Sequence, residues 1–112
     1  MKKISTITDN NSFLRAYKKG KSFVSPELVT YVNKNKIGNL RIGITTSKKI
    51  GNAVQRARCR RIIREAYYKL SSEVTESNTD IVFVARQKTP YKKSTDIYTC
   101  MKKHLQSAGM LK

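Results

Sequence analysis

The sequence predicts a small single-domain α+β sandwich with elements in the order α-β-β-α-β-α. Three observations predict it. The chain has 112 residues, the size of one domain. Runs of alternating or β-branched residues at 28–32, 40–45 and 80–86 are interleaved with segments of helical spacing. The stretch 52–70 carries one apolar stripe at i, i+3, i+4, i+7 and i+11, and such a stripe has to dock on a sheet.

The first helix is signalled by Asn10-Asn11-Ser12, which supplies a cap ahead of Phe13, Ala16 and Tyr17, and Gly20 stops it after Lys18-Lys19. Pro26 ends the connection, and Leu28-Val29-Thr30-Tyr31-Val32 reads as a strand followed by a polar turn over 33–39. The alternation of the next strand buries Leu40, Ile42 and Ile44 and turns Arg41, Gly43 and Thr45 the other way. Residues 47–51 form a basic loop. Asn52 with Gln55 three positions later resembles a capping box that opens a helix running to about residue 70. Its stripe is Cys59, Ile62, Ile63, Ala66 and Leu70, and its opposite face is Ala57, Arg60, Arg61, Arg64 and Tyr68. Residues 80–86 are apolar on both faces, the mark of a central strand, and Pro90 closes them. A last helix over 94–107 puts Ile97, Met101, His104, Leu105 and Ala108 on one side, with Gly109 as its stop, so His104 and Met101 are expected in or beside the core. The pattern leaves room for one more short strand without placing it.

Composition narrows the partner. There are 24 Lys+Arg against 7 Asp+Glu, a net charge of +17, while 38% hydrophobic residues still suffice to close one core. Charge of this size repels itself in a compact state, so a polyanion is expected to neutralise it, nucleic acid first and an anionic membrane surface second. The apolar run 81–85 is too short to span a bilayer, and residues 1–10 contain no apolar stretch of the kind a secretory signal needs. The expected location is the cytoplasm. Cys59 and Cys100 lack metal-site spacing and are expected as reduced core thiols.

Catalytic groups are scarce. His104 is the only histidine, and the acids Asp9, Glu27, Glu65, Glu73, Glu76, Asp80 and Asp96 are scattered, with Glu73/Glu76/Asp80 the nearest thing to a cluster. There is no phosphate-binding loop and no nucleophile elbow. No catalytic residue and no metal site are therefore assigned. If the protein takes part in a reaction, another molecule is expected to supply the catalytic groups.

Two surfaces remain as candidates. Between residues 47 and 69 lie Lys48, Lys49, Arg56, Arg58, Arg60, Arg61, Arg64 and Lys69 against Glu65 alone, a net +7 over 23 residues. Solvated faces mix signs, whereas this one is dominated by arginine, whose planar fork matches phosphate oxygens two at a time. Gly51 lets a phosphate approach the positive end of the helix beside Lys48 and Lys49. The second candidate is aromatic: Phe13 and Tyr17 lie one turn apart on the first helix, and Val29 and Tyr31 share one face of the first strand. Either these pack as ordinary core or they line a groove in which rings stack on unpaired bases; tyrosine in place of phenylalanine suits a wet site.

Residues 47–66, SKKIGNAVQRARCRRIIREA, resemble the signature of the bacterial ribonuclease P protein family. The similarity extends through Asn11-Ser12-Phe13 with Gly20, Leu40-Arg41-Ile42-Gly43-Ile44, and Asp80-Ile81-Val82-Phe83-Val84-Ala85-Arg86. It implies a ribosomal-protein-like α+β fold with a left-handed β-α-β crossover, against the usual handedness. It also implies a protein that binds a large catalytic RNA, the complex removing the 5′ leader from precursor tRNA while the RNA performs hydrolysis with magnesium. Carried over residue by residue, the catalytic-RNA contacts are Lys48, Lys49, Arg56, Arg58, Arg60, Arg61 and Arg64. The leader-binding cleft becomes Phe13, Tyr17, Tyr31, Val29 and Thr45.

One departure stands out. The family's Arg-Asn-Arg is here Arg56-Ala57-Arg58, so the charges remain but one amide donor and acceptor is gone. A hydrogen bond to a charged group is worth about 1.5–3 kcal/mol. The rival readings are a structural RNA-binding protein of ribosomal type, a self-sufficient nuclease, and a membrane-surface binder. The expected partners are a ribonuclease P catalytic RNA and the precursor tRNA leader, with no membrane and no obligate protein partner.

Overall fold

The computed structural model describes residues 5–75 and 77–111. Its elements are β1 (Ser5–Thr6), α1 (Asn10–Lys19), β2 (Lys21–Val24), β3 (Leu28–Lys34), β4 (Arg41–Thr45), α2 (Ala53–Leu70), β5 (Thr79–Ala85) and α3 (Ser94–Ser107). Short 3-10 turns occupy Lys48–Ile50, Ser71–Glu73 and Thr89–Tyr91. The six expected elements are present in the expected order, with two further strands rather than one. Both are edge strands: the sheet order is β1-β4-β5-β3-β2. β1 has two residues, too few to show a period, and β2 leaves three of its four residues exposed, so neither carries a buried face for a pattern to reveal.

β5 lies at the centre, as its apolar character on both faces requires, antiparallel to β3 and parallel to β4. Parallel neighbours need a crossover, and α2 supplies it between β4 and β5. The odd-numbered residues Ile81, Phe83 and Ala85 of β5 turn to one side with Leu28 and Ile42. There they meet Cys59, Ile62, Ile63, Ala66 and Leu70 of α2 and Ile97, Met101 and Leu105 of α3 in the main core. Val82 turns to the other side, where Ala16 of α1 and Ile7 pack on it with Phe13, Tyr31 and Val84 at the margin. The sheet therefore separates a two-helix layer from a single short helix.

The cap of α1 differs from the expectation. Asp9, not the Asn10-Asn11-Ser12 run, is the N-cap: its carboxylate accepts from the Ser12 amide at 3.0 Å and from the Ser12 hydroxyl at 2.8 Å. A carboxylate at that position answers the orphan amides of the first turn, so the helix begins at Asn10. The Ser12 bonds hold the Asp9 carboxyl below the ordinary aspartate value.

His104 is buried, as expected, and both ring nitrogens are used: Nε2 lies 2.8 Å from Ser25 Oγ and Nδ1 lies 2.8 Å from Thr30 Oγ1. Burial pushes its pKa down. Cys59 and Cys100 are free and buried, and burial pushes both thiols up. Gly109 ends α3 with φ +73°, the left-handed conformation that glycine adopts without penalty.

Candidate nucleic-acid interface

The basic helix is set by its first turn. The Asn52 side chain accepts from the Gln55 amide at 2.9 Å, and the Gln55 side chain accepts from the Asn52 amide at 3.0 Å, the reciprocal pair the sequence predicts. Gly51 precedes it with φ +145°, a conformation that favours glycine, and a Cβ there would run into the Gln55 side chain that makes the cap. The cap takes the amides of Asn52 and Gln55 and leaves those of Ala53 and Val54 for an anion, a smaller anion site than an uncapped helix start would offer.

The arginines spread over both flanks of α2. Arg56 donates back to the Gly51 carbonyl at 2.7 Å, just ahead of its own helix, and Arg60 to Thr46 Oγ1 at 2.9 Å, next to the end of β4. Arg58 leans the opposite way, its Nε donating to the Pro90 carbonyl at 2.8 Å. A guanidinium has five N–H donors, so each of these anchors orients the group and leaves most of it available to phosphate. Arg61, Arg64, Lys48 and Lys49 are exposed. Ala57 is exposed among them.

The aromatic set gathers on the other side of the sheet. The Phe13 ring sits over Gly43, and the rings of Tyr17 and Tyr31 meet edge to face with centroids 5.1 Å apart. Tyr17 donates its hydroxyl to Thr45 Oγ1 at 3.3 Å. Val29 precedes Tyr31 by two residues on β3, on the same face, and is half-buried. All five residues carried over to the cleft therefore share one surface. Phe13 and Tyr31 rest on the Ile7, Ala16 and Val82 cluster, while Tyr17 is 37% exposed.

A charged cluster that sequence patterning did not single out fixes that surface. Arg41 donates from Nε and Nη2 to the two oxygens of Asp80, each at 2.8 Å, and Nη2 also reaches Ser12 Oγ at 3.0 Å. Asp9 lies 3.7 Å from Arg41 Nη1. The pair is shielded, with 13% of the Arg41 side chain and 4% of the Asp80 side chain exposed, and Asp80 raises the Arg41 pKa. It ties the start of α1 to the centre of the sheet. The signal lay in the register: an arginine turned away from the main core on one strand and an acid opening the next, which prove to be direct partners between β4 and β5.

The two surfaces meet at the edge of β4. β1 pairs with β4 only at Arg41 and Ile42, which leaves the edge beyond open. A cavity of about 270 Å³ lies there, with Phe13 and Gly43 from one surface and Arg60, Arg64 and Tyr68 from the other among its walls. Burial pushes the pKa of neighbouring Tyr67 up to about 12. Among the described residues no three His, Cys, Asp or Glu side chains gather as metal ligands. The loose acidic grouping noted in the sequence is dispersed: Asp80 is bound to Arg41, Glu73 sits in a 3-10 turn, and Glu76 lies outside the described residues. No helix among the described residues is long and apolar enough to cross a membrane.

A family model described as Ribonuclease P matches residues 1–109. The chain belongs to the ribonuclease P protein family. It is 41% identical over 112 residues to a ribonuclease P protein component of Clostridium novyi (strain NT), covering 98% of either chain. A solved RNase P protein of Staphylococcus aureus superposes with a TM-score of 0.83 at 35% identity, covering 98% of this chain and all of the other. The RNase P protein of Thermotoga maritima superposes at 0.78 with 24% identity over 92% of this chain, a likeness of fold. Membership in the ribonuclease P protein family carries a role in ribonuclease P tRNA processing.

Proposed function

We infer that this chain is the protein subunit of a ribonucleoprotein ribonuclease P, an endoribonuclease that removes the 5′ leader from precursor tRNA. It binds a catalytic RNA through Lys48, Lys49, Arg56, Arg58, Arg60, Arg61 and Arg64, and the leader through Phe13, Tyr17, Val29, Tyr31 and Thr45. The catalytic RNA, with magnesium, supplies the hydrolysis. The observation that carries this is the pairing of two unlike surfaces, arginine-rich and aromatic, on opposite layers of one sheet and joined at the open edge of β4.

The protein's part is electrostatic and positional. Two polyanions repel each other, and a protein of net charge +17 between them neutralises phosphates where they approach, releasing condensed counterions. The aromatic cleft stacks unpaired bases without demanding a sequence, so it favours a substrate that still has its leader over the product that has lost it. The inferred setting is the cytoplasm, with no obligate protein partner.

Reconstitution tests it. The purified chain, added to a catalytic RNA of the ribonuclease P type at low magnesium, is expected to restore cleavage of precursor tRNA that the RNA alone performs poorly. RNA binding with no gain in cleavage would favour a structural RNA-binding protein of ribosomal type instead. Cleavage by the protein without RNA would reinstate a self-sufficient nuclease.

A further inference from the structure

The segment 86–93 carries Arg86, Lys88, Lys92 and Lys93 and no acid, and in its midst Tyr91 is 76% exposed. An aromatic ring presented to solvent on an anchored basic turn offers a flat face on which a base can stack. The turn is rigid because its polar groups are answered from three directions. Thr89 Oγ1 accepts from the Arg86 amide at 2.8 Å and donates to the Glu27 carbonyl at 2.7 Å. Arg58 of α2 donates to the Pro90 carbonyl at 2.8 Å. The amides of Tyr91 and Lys92 close the 3-10 turn on Lys88 and Thr89. Thr89 and Pro90 are buried by this anchoring, and Tyr91 is the residue the turn presents to solvent.

We propose that Tyr91 and its basic turn form a stacking site for an unpaired nucleotide of the catalytic RNA, an extension of the arginine surface of α2. The inference rests on the reading of the chain as the subunit that binds that RNA. Charge complementarity selects the occupant: the segment that presents the ring carries four cations and no acid of its own, with the Asp96 carboxylate on the Lys93 amide at its far end, and RNA offers both phosphates for the cations and base faces for the ring. Location selects which RNA. Arg58 fastens the turn to the flank of α2, in the layer across the sheet from the Phe13, Tyr17 and Tyr31 surface inferred to hold the leader. The fixed turn keeps the ring placed before binding, so little ordering entropy is lost when a base stacks on it.

The test is the affinity of the full chain for a catalytic RNA of the ribonuclease P type at one fixed salt concentration, for wild type, Tyr91→Ala and Tyr91→Phe. Tyr91→Ala is expected to lose about tenfold or more, and Tyr91→Phe, which keeps the ring, to stay within about twofold of wild type. Thermal midpoints of all three should coincide, because the side chain packs on little. Wild-type affinity in Tyr91→Ala, or an equal loss in Tyr91→Phe, would overturn the stacking site while leaving the subunit reading intact. Unchanged catalytic-RNA affinity with a loss of preference for precursor over mature tRNA would assign Tyr91 to the leader and likewise overturn it. Failure of the wild-type chain to bind the RNA at all would bring down the subunit reading, and this inference with it.

Discussion

The ring of Phe13 occupies the space that a side chain at position 43 would need: a Cβ on Gly43 would lie 2.5 Å from Phe13 Cε1 and 2.8 Å from Cζ. The glycine is what lets α1 lie close to the sheet at the floor of the aromatic surface. Gly43→Ala is therefore expected to lower the unfolding free energy by about 1–3 kcal/mol, the range for overpacking, read from urea denaturation. It should also weaken leader binding more than catalytic-RNA binding. A variant as stable as wild type would show that the ring moves freely and does not shape the cleft.

Arg41 and Asp80 are a shielded bidentate pair, and removing one partner strands the other. Asp80→Ala is expected to cost about 3 kcal/mol or more in stability. The double variant Arg41→Met/Asp80→Leu should cost less than either single change, because no buried charge is left alone. A double-mutant cycle read from denaturation midpoints checks this. Additive losses would mean that the pair is not energetically coupled.

The buried imidazole of His104 gives the fold a pH dependence of known sign. Burial lowers its folded pKa beneath the unfolded value of about 6.5, with Glu27 opposing the shift. The unfolded chain then binds more protons as pH falls, so the His104 contribution is complete above about pH 6.5 and is lost as pH drops from there through the folded pKa. Asp9, held below its ordinary value, contributes above about pH 3.8 and is lost only under stronger acid. Urea midpoints at pH 5 and pH 8 should differ for wild type and converge for His104→Gln. Equal midpoints for wild type would show that the imidazole binds protons alike in the folded and unfolded chain, so that burial does not lower its pKa.

Tyr17 and Tyr31 are expected to discriminate substrate from product. Tyr17→Ala or Tyr31→Ala should weaken binding of precursor tRNA more than of mature tRNA, by about 1–3 kcal/mol for each base that loses its stacking partner. Tyr17→Phe removes only the exposed bond to Thr45 and should cost about 1 kcal/mol or less. In a log–log salt plot the leader affinity should fall with a slope of roughly 0.7 per phosphate contact. Equal losses for both tRNAs, or leader binding indifferent to salt, would remove the leader from this surface.

Ala57 breaks the family's Arg-Asn-Arg and is exposed between Arg56 and Arg58. Ala57→Asn is expected to tighten catalytic-RNA binding, at a cost of about 0.6 kcal/mol or less in helix propensity. Titration of the RNA with both chains measures it. No change in affinity would mean that the amide makes no contact of consequence in this chain.

The basic helix was legible from the sequence in nearly every detail: its capping box, its stripe from Cys59 to Leu70 and its arginine face all depend on neighbours three or four residues apart. The central place of β5 was legible because a strand covered on both faces is apolar on both faces. Spacing placed Phe13 and Tyr17 on one helix and Val29 and Tyr31 on one strand, and the family resemblance added Thr45 from another strand, yet neither decided that Tyr17 bonds Thr45 or that Gly43 accommodates Phe13. Arg41 and Asp80 are 39 residues apart, and nothing in either local pattern announced the partner. No spacing or charge pattern placed Tyr91; its turn is held against α2 by the bond from Arg58 to the Pro90 carbonyl, across 32 residues.

Sequence by itself determined the three helices and the three inner strands, the apolar faces of each, and that the chain carries net charge +17. Tertiary structure alone decided which layer each face enters: α1 on one side of the sheet, α2 and α3 on the other, with short edge strands that leave β4 open between them. The division follows from range. Periodicity and capping are short-range properties of a chain, whereas the pairing of strands and the meeting of charges on different strands are settled only when distant segments close on one another and bury a common surface.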